Sequence, residues 1–323
     1  MNLQNGLIAE FYEQSFTQII FPHAQTDWQP YLKEAQETFV NIINAIRKYQ
    51  PCKIICADVH AVKKHFPDTH NLDFIAYRCD DTWARDCSAL SLYNDGKKEL
   101  RNFTFNAWGN KFDAMRDNAM SAFVNPQAIV CDFILEGGGV ESNGAGIILT
   151  TRQTMHNRYP NLSKTEITKL LQKFLLAKEV LFLEHGFLLG DDTDAHIDTL
   201  ARFVREDTIM YVQCLDKNDA HYEALALMEN ELQTLAKHHQ FQLIPLPMAD
   251  AVFFEGERLP ATYANFLFVN GAVLLPTYNV KSDAKAISLF EKTFPNRDII
   301  PLDCSILIRQ HGSLHCVSMN FSI

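Results

Sequence analysis

The chain has 323 residues, 47% of them hydrophobic, and a formal net charge of −10. That length fits one large domain or two ordinary ones, with apolar content ample for a packed core. The acidic balance argues against nucleic acid, whose binders are usually basic, and mildly favours a cationic ligand. No apolar run approaches bilayer length, and Met1-Asn2-Leu3-Gln4-Asn5-Gly6 lacks the basic and apolar regions of a secretion signal. No membrane partner and a cytoplasmic location are therefore expected. The eight cysteines stand singly, none in C-x-x-C spacing, and most read as small buried hydrophobes of a reducing compartment.

In chain order, the pattern predicts a helix over 31–46 closing on a strand at 53–56. A fainter unit follows, from a strand at 88–92 through Met115 to Val130. After Asn143-Gly144 come a strand at 146–151, a helix over 164–176 with Ile167, Leu170, Leu171 and Phe174 on one face, and a strand at 180–183. The same order recurs at 208–212, near 220–238 and at 241–244, then at 272–276, 283–292 and 299–302. Five strand-helix-strand units at roughly sixty-residue spacing suggest a closed ring of similar blades, a five-bladed pseudo-symmetric α/β propeller. A TIM barrel needs eight shorter units, and an irregular α/β domain is the alternative. No low-complexity linker separates halves, so residues 1–323 are expected to form a single domain.

Four segments carry unusual chemistry, each at the handover between units. In Asp80-Asp81-Thr82-Trp83-Ala84-Arg85-Asp86, Trp83 offers a flat wall to a cationic ligand, while Arg85 and Asp86 could form a structural ion pair. Glu136 ends an apolar strand over 128–135. The following Gly137-Gly138-Gly139 marks a close approach of backbone or ligand, or else an ordinary turn. In Gly190-Asp191-Asp192-Thr193-Asp194-Ala195-His196-Ile197-Asp198, an extended backbone would put His196 and Asp198 on one face, and 199–204 reads as its continuing strand. A buried structural His–Asp pair is the plainer reading, yet three further aspartates upstream are hard to justify in a core. Cys316 follows an expected strand at 305–309 and is projected by the Gly312-Ser313 turn; zinc on His311, His315 and Cys316 matches no defensible spacing. Together these segments supply a thiol, an imidazole and several carboxylates, a set suited to attack on a cationic carbon.

These segments resemble the agmatine deiminases, within the wider superfamily of guanidino-modifying enzymes, from Pro22-His23-Ala24-Gln25-Thr26-Asp27-Trp28 to His315-Cys316. The resemblance implies the five-bladed pentein-type propeller and five catalytic residues: Asp86 of W-x-R-D, Glu136 of E-G-G, His196 and Asp198 of H-x-D, and Cys316 of G-x-x-H-C. This chain departs from the usual pattern at Cys87-Ser88-Ala89, at Ala195 and at His311-Gly312-Ser313-Leu314. The implied reaction is deimination of agmatine through a covalent amidino-cysteine, needing neither metal nor organic cofactor. Asp86 and Asp198 would fork the guanidinium, with Glu136 and His196 handling protons. Trp83 and Gly138 would line the pocket, and Asp192 or Asp194 would meet the distal amine. The expected partner is a small cationic guanidino compound, and a homo-oligomer is left open. Free or peptidyl arginine is the nearest alternative substrate. A thiol amidase would not explain the paired aspartates, and a non-catalytic binding protein of the same fold would not need all five groups.

Overall fold

A computed structural model describes residues 3–322 as a mixed α/β fold built on five sheets and one short hairpin. Three sheets repeat one plan. In each, a short strand runs antiparallel to a central strand, which a helix then links to a parallel third strand. These are Val140–Ser142, Ile147–Thr151 and Glu179–Leu183; Ala201–Arg205, Thr208–Gln213 and Gln242–Pro247; and Leu267–Val269, Ala272–Thr277 and Asp298–Asp303. The linking helices are Lys164–Leu175, Tyr222–His239 and Asp283–Thr293.

The other two sheets extend the plan. Leu90–Asn94 pairs antiparallel with Lys97–Thr104, which runs parallel to Ile129–Ile134, and Gly6–Leu7 adds an outer strand. In the last sheet, Phe16–Ile20 is parallel to Cys52–Cys56, itself parallel to Leu72–Ala76. The antiparallel partner of Phe16–Ile20 is Ser318–Phe321, from the far end of the sequence.

The helices form because their apolar residues recur at helical spacing. Leu32–Ile46 buries Ala35, Phe39, Ile42, Ile43 and Ile46. Lys164–Leu175 starts at a capping box, Ser163 with Glu166, buries Ile167, Leu171 and Leu175, and stops at left-handed Leu176. Leu170 and Phe174 pack only partly buried on its flank. One continuous apolar core runs through all five sheets, from Trp28 and Phe39 to Phe203, Phe266 and Phe290. No helix among the described residues is long and apolar enough to cross a membrane.

Three local expectations are corrected. The segment expected as a strand at 305–309 is a tight turn at Leu307–Gln310, because Asp303 accepts from the Ser305 N–H and Oγ while the Cys304 carbonyl accepts from Leu307 and Ile308. Residues 196–200 are likewise not extended. Ile197–Thr199 is a tight turn held by the His196 carbonyl, and the strand starts at Ala201. A strand does run at Leu90–Asn94, close to the expected 88–92, but the strand that pairs parallel with Ile129–Ile134 is Lys97–Thr104, whose pattern is masked by Lys97, Lys98 and Glu99.

Candidate active site

The chemistry-bearing side chains enter from the ends of different strands. Asp86 sits on the single helical turn Ala84–Cys87, beyond Leu72–Ala76. Glu136 follows Ile129–Ile134, His196 precedes and Asp198 lies within the turn Ile197–Thr199 before Ala201–Arg205, and Cys316 precedes Ser318–Phe321. Gly138 shows how closely they meet. Its N–H donates to Asp86 Oδ1 at 2.9 Å. A β-carbon placed there would lie 2.7 Å from His196 Nδ1, 2.9 Å from Asp198 Oδ2 and 3.0 Å from Asp86 Oδ1. Glycine is therefore what lets an imidazole and two carboxylates converge on one backbone position.

His196 is bracketed by acids: Nδ1 is 3.8 Å from Asp86 and Nε2 is 3.7 Å from Glu136. Burial alone would lower its pKa, but Asp86 first, then Glu136 and Asp198, lift it to about 9. Glu136 is fully buried and accepts from Arg158 Nε at 2.6 Å. Burial opposes its ionisation, yet His196 and Arg158 hold its pKa below the ordinary value. Asp86 moves the other way: burial, then Asp198 and Glu136, raise it against the pull of His196 and the Trp108 indole. The Trp108 Nε1–H donates to Asp86 Oδ2 at 2.9 Å from a backbone run with positive φ at Ala107, Trp108, Gly109 and Asn110.

Cys316 Sγ lies 3.4 Å from Asn265 Oδ1 and 4.0 Å from Asp198 Oδ2. Burial, then Asp198 and Asp86, push its thiol well above the usual range. Glu136 Oε2, His196 Nε2 and Asp198 Oδ1 are buried without a hydrogen-bond partner among the described residues. Unpaired polar atoms of this kind cost ~1–3 kcal/mol each, and a guest rich in N–H groups would satisfy the two oxygens.

A cleft of about 510 Å³ opens onto Cys316 and Asp86. Trp83, Trp108, Phe112 and Gly312 form apolar wall. Trp83 is fixed by its indole N–H on Asp81 at 2.9 Å, and it packs so tightly on Gly312 that a β-carbon there would fall 2.2 Å from the ring. Seven aspartates line the cleft and no lysine or arginine does, among the described residues. Burial, reinforced by Asp27 and Asp117, raises Asp81 to about 8, and burial lifts Asp117 to about 7. A cation entering this space would draw those protons off.

Asp192 lines the cleft as expected, but Asp194 does not. Its left-handed backbone, φ 68°, turns it away to bind Arg158 at 2.6 Å and Lys111 at 3.0 Å. It anchors the arginine that holds Glu136. Arg85 is paired with Glu10 rather than with Asp86, which leaves Asp86 facing the site. His311 and His315 diverge, the first to the Gly190 carbonyl and the second to Asp198 and Glu10. Among the described residues no group of three or more His, Cys, Asp or Glu is arranged to hold a metal. The sequence reading did not single out Asn265, Arg158 or Trp108. Asn265 and Arg158 stand in no dense motif, and only the Asn106-Ala107-Trp108-Gly109-Asn110 run, rich in residues that tolerate positive φ, marked Trp108.

Over residues 6–321 the sequence matches the family described as Porphyromonas-type peptidyl-arginine deiminase. It is similar to a cysteine-to-serine form of the C. jejuni agmatine deiminase with substrate bound, at 36% identity and a TM-score of 0.94, covering 99% of this chain and 97% of that one. A Porphyromonas gingivalis structure provisionally named arginine deiminase matches at 42% identity with a TM-score of 0.93 over 98% of each chain. A Selenomonas ruminantium protein provisionally named agmatine deiminase is 30% identical over 96% of this chain and 94% of its own length. Matches that run end to end, on a chain that brings an imidazole and two carboxylates together at one glycine, with a thiol and a third carboxylate beside them, have one consequence: the chain belongs to the Porphyromonas-type peptidyl-arginine deiminase family of guanidino-group-modifying hydrolases.

Proposed function

We propose that the protein hydrolyses agmatine to N-carbamoylputrescine and ammonia. The observation that carries this reading is the cleft, which ends at Cys316 and is lined by seven aspartates without a lysine or arginine. Agmatine presents a cation at each end. Arginine would bring an α-carboxylate among these aspartates, and the cations beside them are already engaged, Lys111 by Asp194 and the Asp192 carbonyl and Arg116 by Asp80. In this reading Trp83 flanks the methylene chain and Asp192 accepts from the distal ammonium.

The guanidinium would lie between Asp86 and Asp198, whose oxygens accept its N–H groups and set its carbon opposite Cys316 Sγ. The thiol's high pKa then works as a gate. A cation about 4 Å away is worth about 4 kcal/mol at an effective dielectric near 20, so the thiol releases its proton to solvent in the cleft only beside its substrate. Sulfur adds to the carbon. His196, an imidazolium below about 9, protonates the departing nitrogen, and ammonia leaves an amidino-thioether. The neutral imidazole, held by Glu136, then takes a proton from the attacking water. The C–S bond breaks, the remaining hydroxyl proton passes to the departing sulfur, and a neutral ureido product is released with the free thiol.

The five sheets, with Ser318–Phe321 completing the one begun by Phe16–Ile20, support a ring of five blades in a single domain. Such a ring would place all five groups at its centre. Ammonia release from agmatine, free arginine and a blocked arginine peptide, side by side on purified protein, tests the substrate assignment. Agmatine is expected to be turned over in strong preference, and comparable turnover of arginine would overturn the reading.

A further inference from the structure

His315 precedes Cys316 in the chain but does not line the cleft. Its ring is buried between two carboxylates. Nδ1 lies 2.7 Å from Asp198 Oδ2, and Nε2 lies 2.9 Å from each oxygen of Glu10. Contacts this short between ring nitrogen and carboxylate oxygen need a shared proton, so both faces of the ring are committed. Glu10 is fixed in turn by Arg85 and by Arg202, 2.8 Å away, and Arg202 also binds Glu141. The backbone is pinned as well: the His315 N–H donates to Asn265 Oδ1 at 2.9 Å, the oxygen that also faces Cys316 Sγ.

Asp198 is divided by this arrangement. Oδ2 is taken by His315, while Oδ1 is buried with no partner among the described residues. The charged or titratable groups facing Asp198 are His315, His196, Arg202, Asp86 and Cys316. Burial would raise the carboxyl's pKa. His315 is the largest opposing influence, ahead of His196 and Arg202, and the balance lies below the ordinary value.

We propose that His315 is a positioning residue that, braced by Glu10, fixes both the orientation and the charge of Asp198 and leaves Oδ1 to accept from the substrate's guanidinium. This rests on the guanidinium-binding role given to Asp198 above. It predicts that the lower limb of activity against pH is set by His315, whose two ring nitrogens are both taken by carboxylates.

The test has one arm that involves no substrate. The carboxyl 13C resonance of Asp198, recognised by its loss in Asp198→Asn, is titrated in wild-type protein, in His315→Leu and in His315→Asn. The asparagine side chain can still donate near the Nδ1 position. Removing His315 leaves burial unopposed by its main counterweight, so the Asp198 titration moves up by about one pH unit or more in His315→Leu and by less in His315→Asn. In the second arm, the acidic limb of kcat/KM moves up in step, and much of the lost activity returns at higher pH. Should the leucine variant fail to fold, the asparagine variant reads the same shift. Folded variants whose Asp198 titration and acidic limb both stay in place, with activity scaled down equally at every pH, would overturn the proposal. A shifted Asp198 titration in a protein that hydrolyses no guanidino compound would support the His315–Asp198 coupling and overturn the functional reading alone.

Discussion

Replacing Gly138 by alanine tests the convergence of the site most sharply. The added carbon would stand 2.7 Å from His196 Nδ1 and 2.9 Å from Asp198 Oδ2, distances that real β-carbons essentially never show, and 3.0 Å from Asp86 Oδ1. None of the three is the loose end of an exposed chain, since all three side chains are buried. Overpacking of this kind costs about 1–3 kcal/mol, and here it falls on the three groups to which the proposed reaction gives roles. Because a displacement near 1 Å at a catalytic group costs about 100-fold in rate, kcat/KM should fall by about that factor or more. Gly139→Ala is the matched control. Its carbon would meet the Thr154 methyl at 3.2 Å and His196 Nε2 only at 3.7 Å, so a smaller loss is expected. Ammonia release and thermal midpoints of both variants decide the matter. Gly138→Ala with a wild-type midpoint and activity within about threefold of wild type would refute the argument that these groups share one point.

Cys316→Ser should abolish turnover while agmatine still binds in calorimetry, because a hydroxyl is far harder to ionise than a thiol; Cys87→Ser, at a buried thiol beside Asp86, should keep its activity. The raised pKa of His196 gives a signed pH effect: its stabilising charge is fully present below its unfolded value and is lost as pH rises through about 9. The thermal midpoint of wild type relative to His196→Ala should therefore fall over that interval, and turnover should fall with it as the imidazolium that serves ammonia departure disappears. Asp192→Asn should raise KM for agmatine roughly tenfold with kcat nearly kept, as loss of one charged hydrogen bond implies. Asp194→Asn should instead lower the thermal midpoint, because it loosens Arg158 and through it Glu136.

How much of this was legible in the sequence depended on how densely the information was packed. Asp86, Glu136, His196, Asp198 and Cys316 each sit in a run of residues too polar, too glycine-rich or too aspartate-rich for a core, and the structure brings all five together. The repeat was readable where a helix separates two apolar strands, as in 146–183, and hidden where lysines and Glu99 cover the strand Lys97–Thr104. Ile306, Leu307 and Ile308 are all buried, so their apolar run could not distinguish strand from turn; the deciding contacts come from Asp303 and Cys304. Asp194 and Asp192 were equivalent as letters. One left-handed φ sends the first to Arg158 and leaves the second in the cleft. Asn265 and Arg158 gave no signal, because their roles come from residues distant in sequence.

The pairing of Ser318–Phe321 with Phe16–Ile20 also bears on how the molecule comes to be made. Cys316 takes its place only when Ser318–Phe321 docks on a strand that lies far upstream in the sequence. Closing so large a loop is slow, because chain entropy must be surrendered before the contact rewards it. During that interval Phe16–Ile20 presents an open edge that invites pairing with other chains. The folding protein would thus be chemically silent and at its most aggregation-prone in the same period, and recovery of activity on refolding should track the docking of Ser318–Phe321 rather than the appearance of helix.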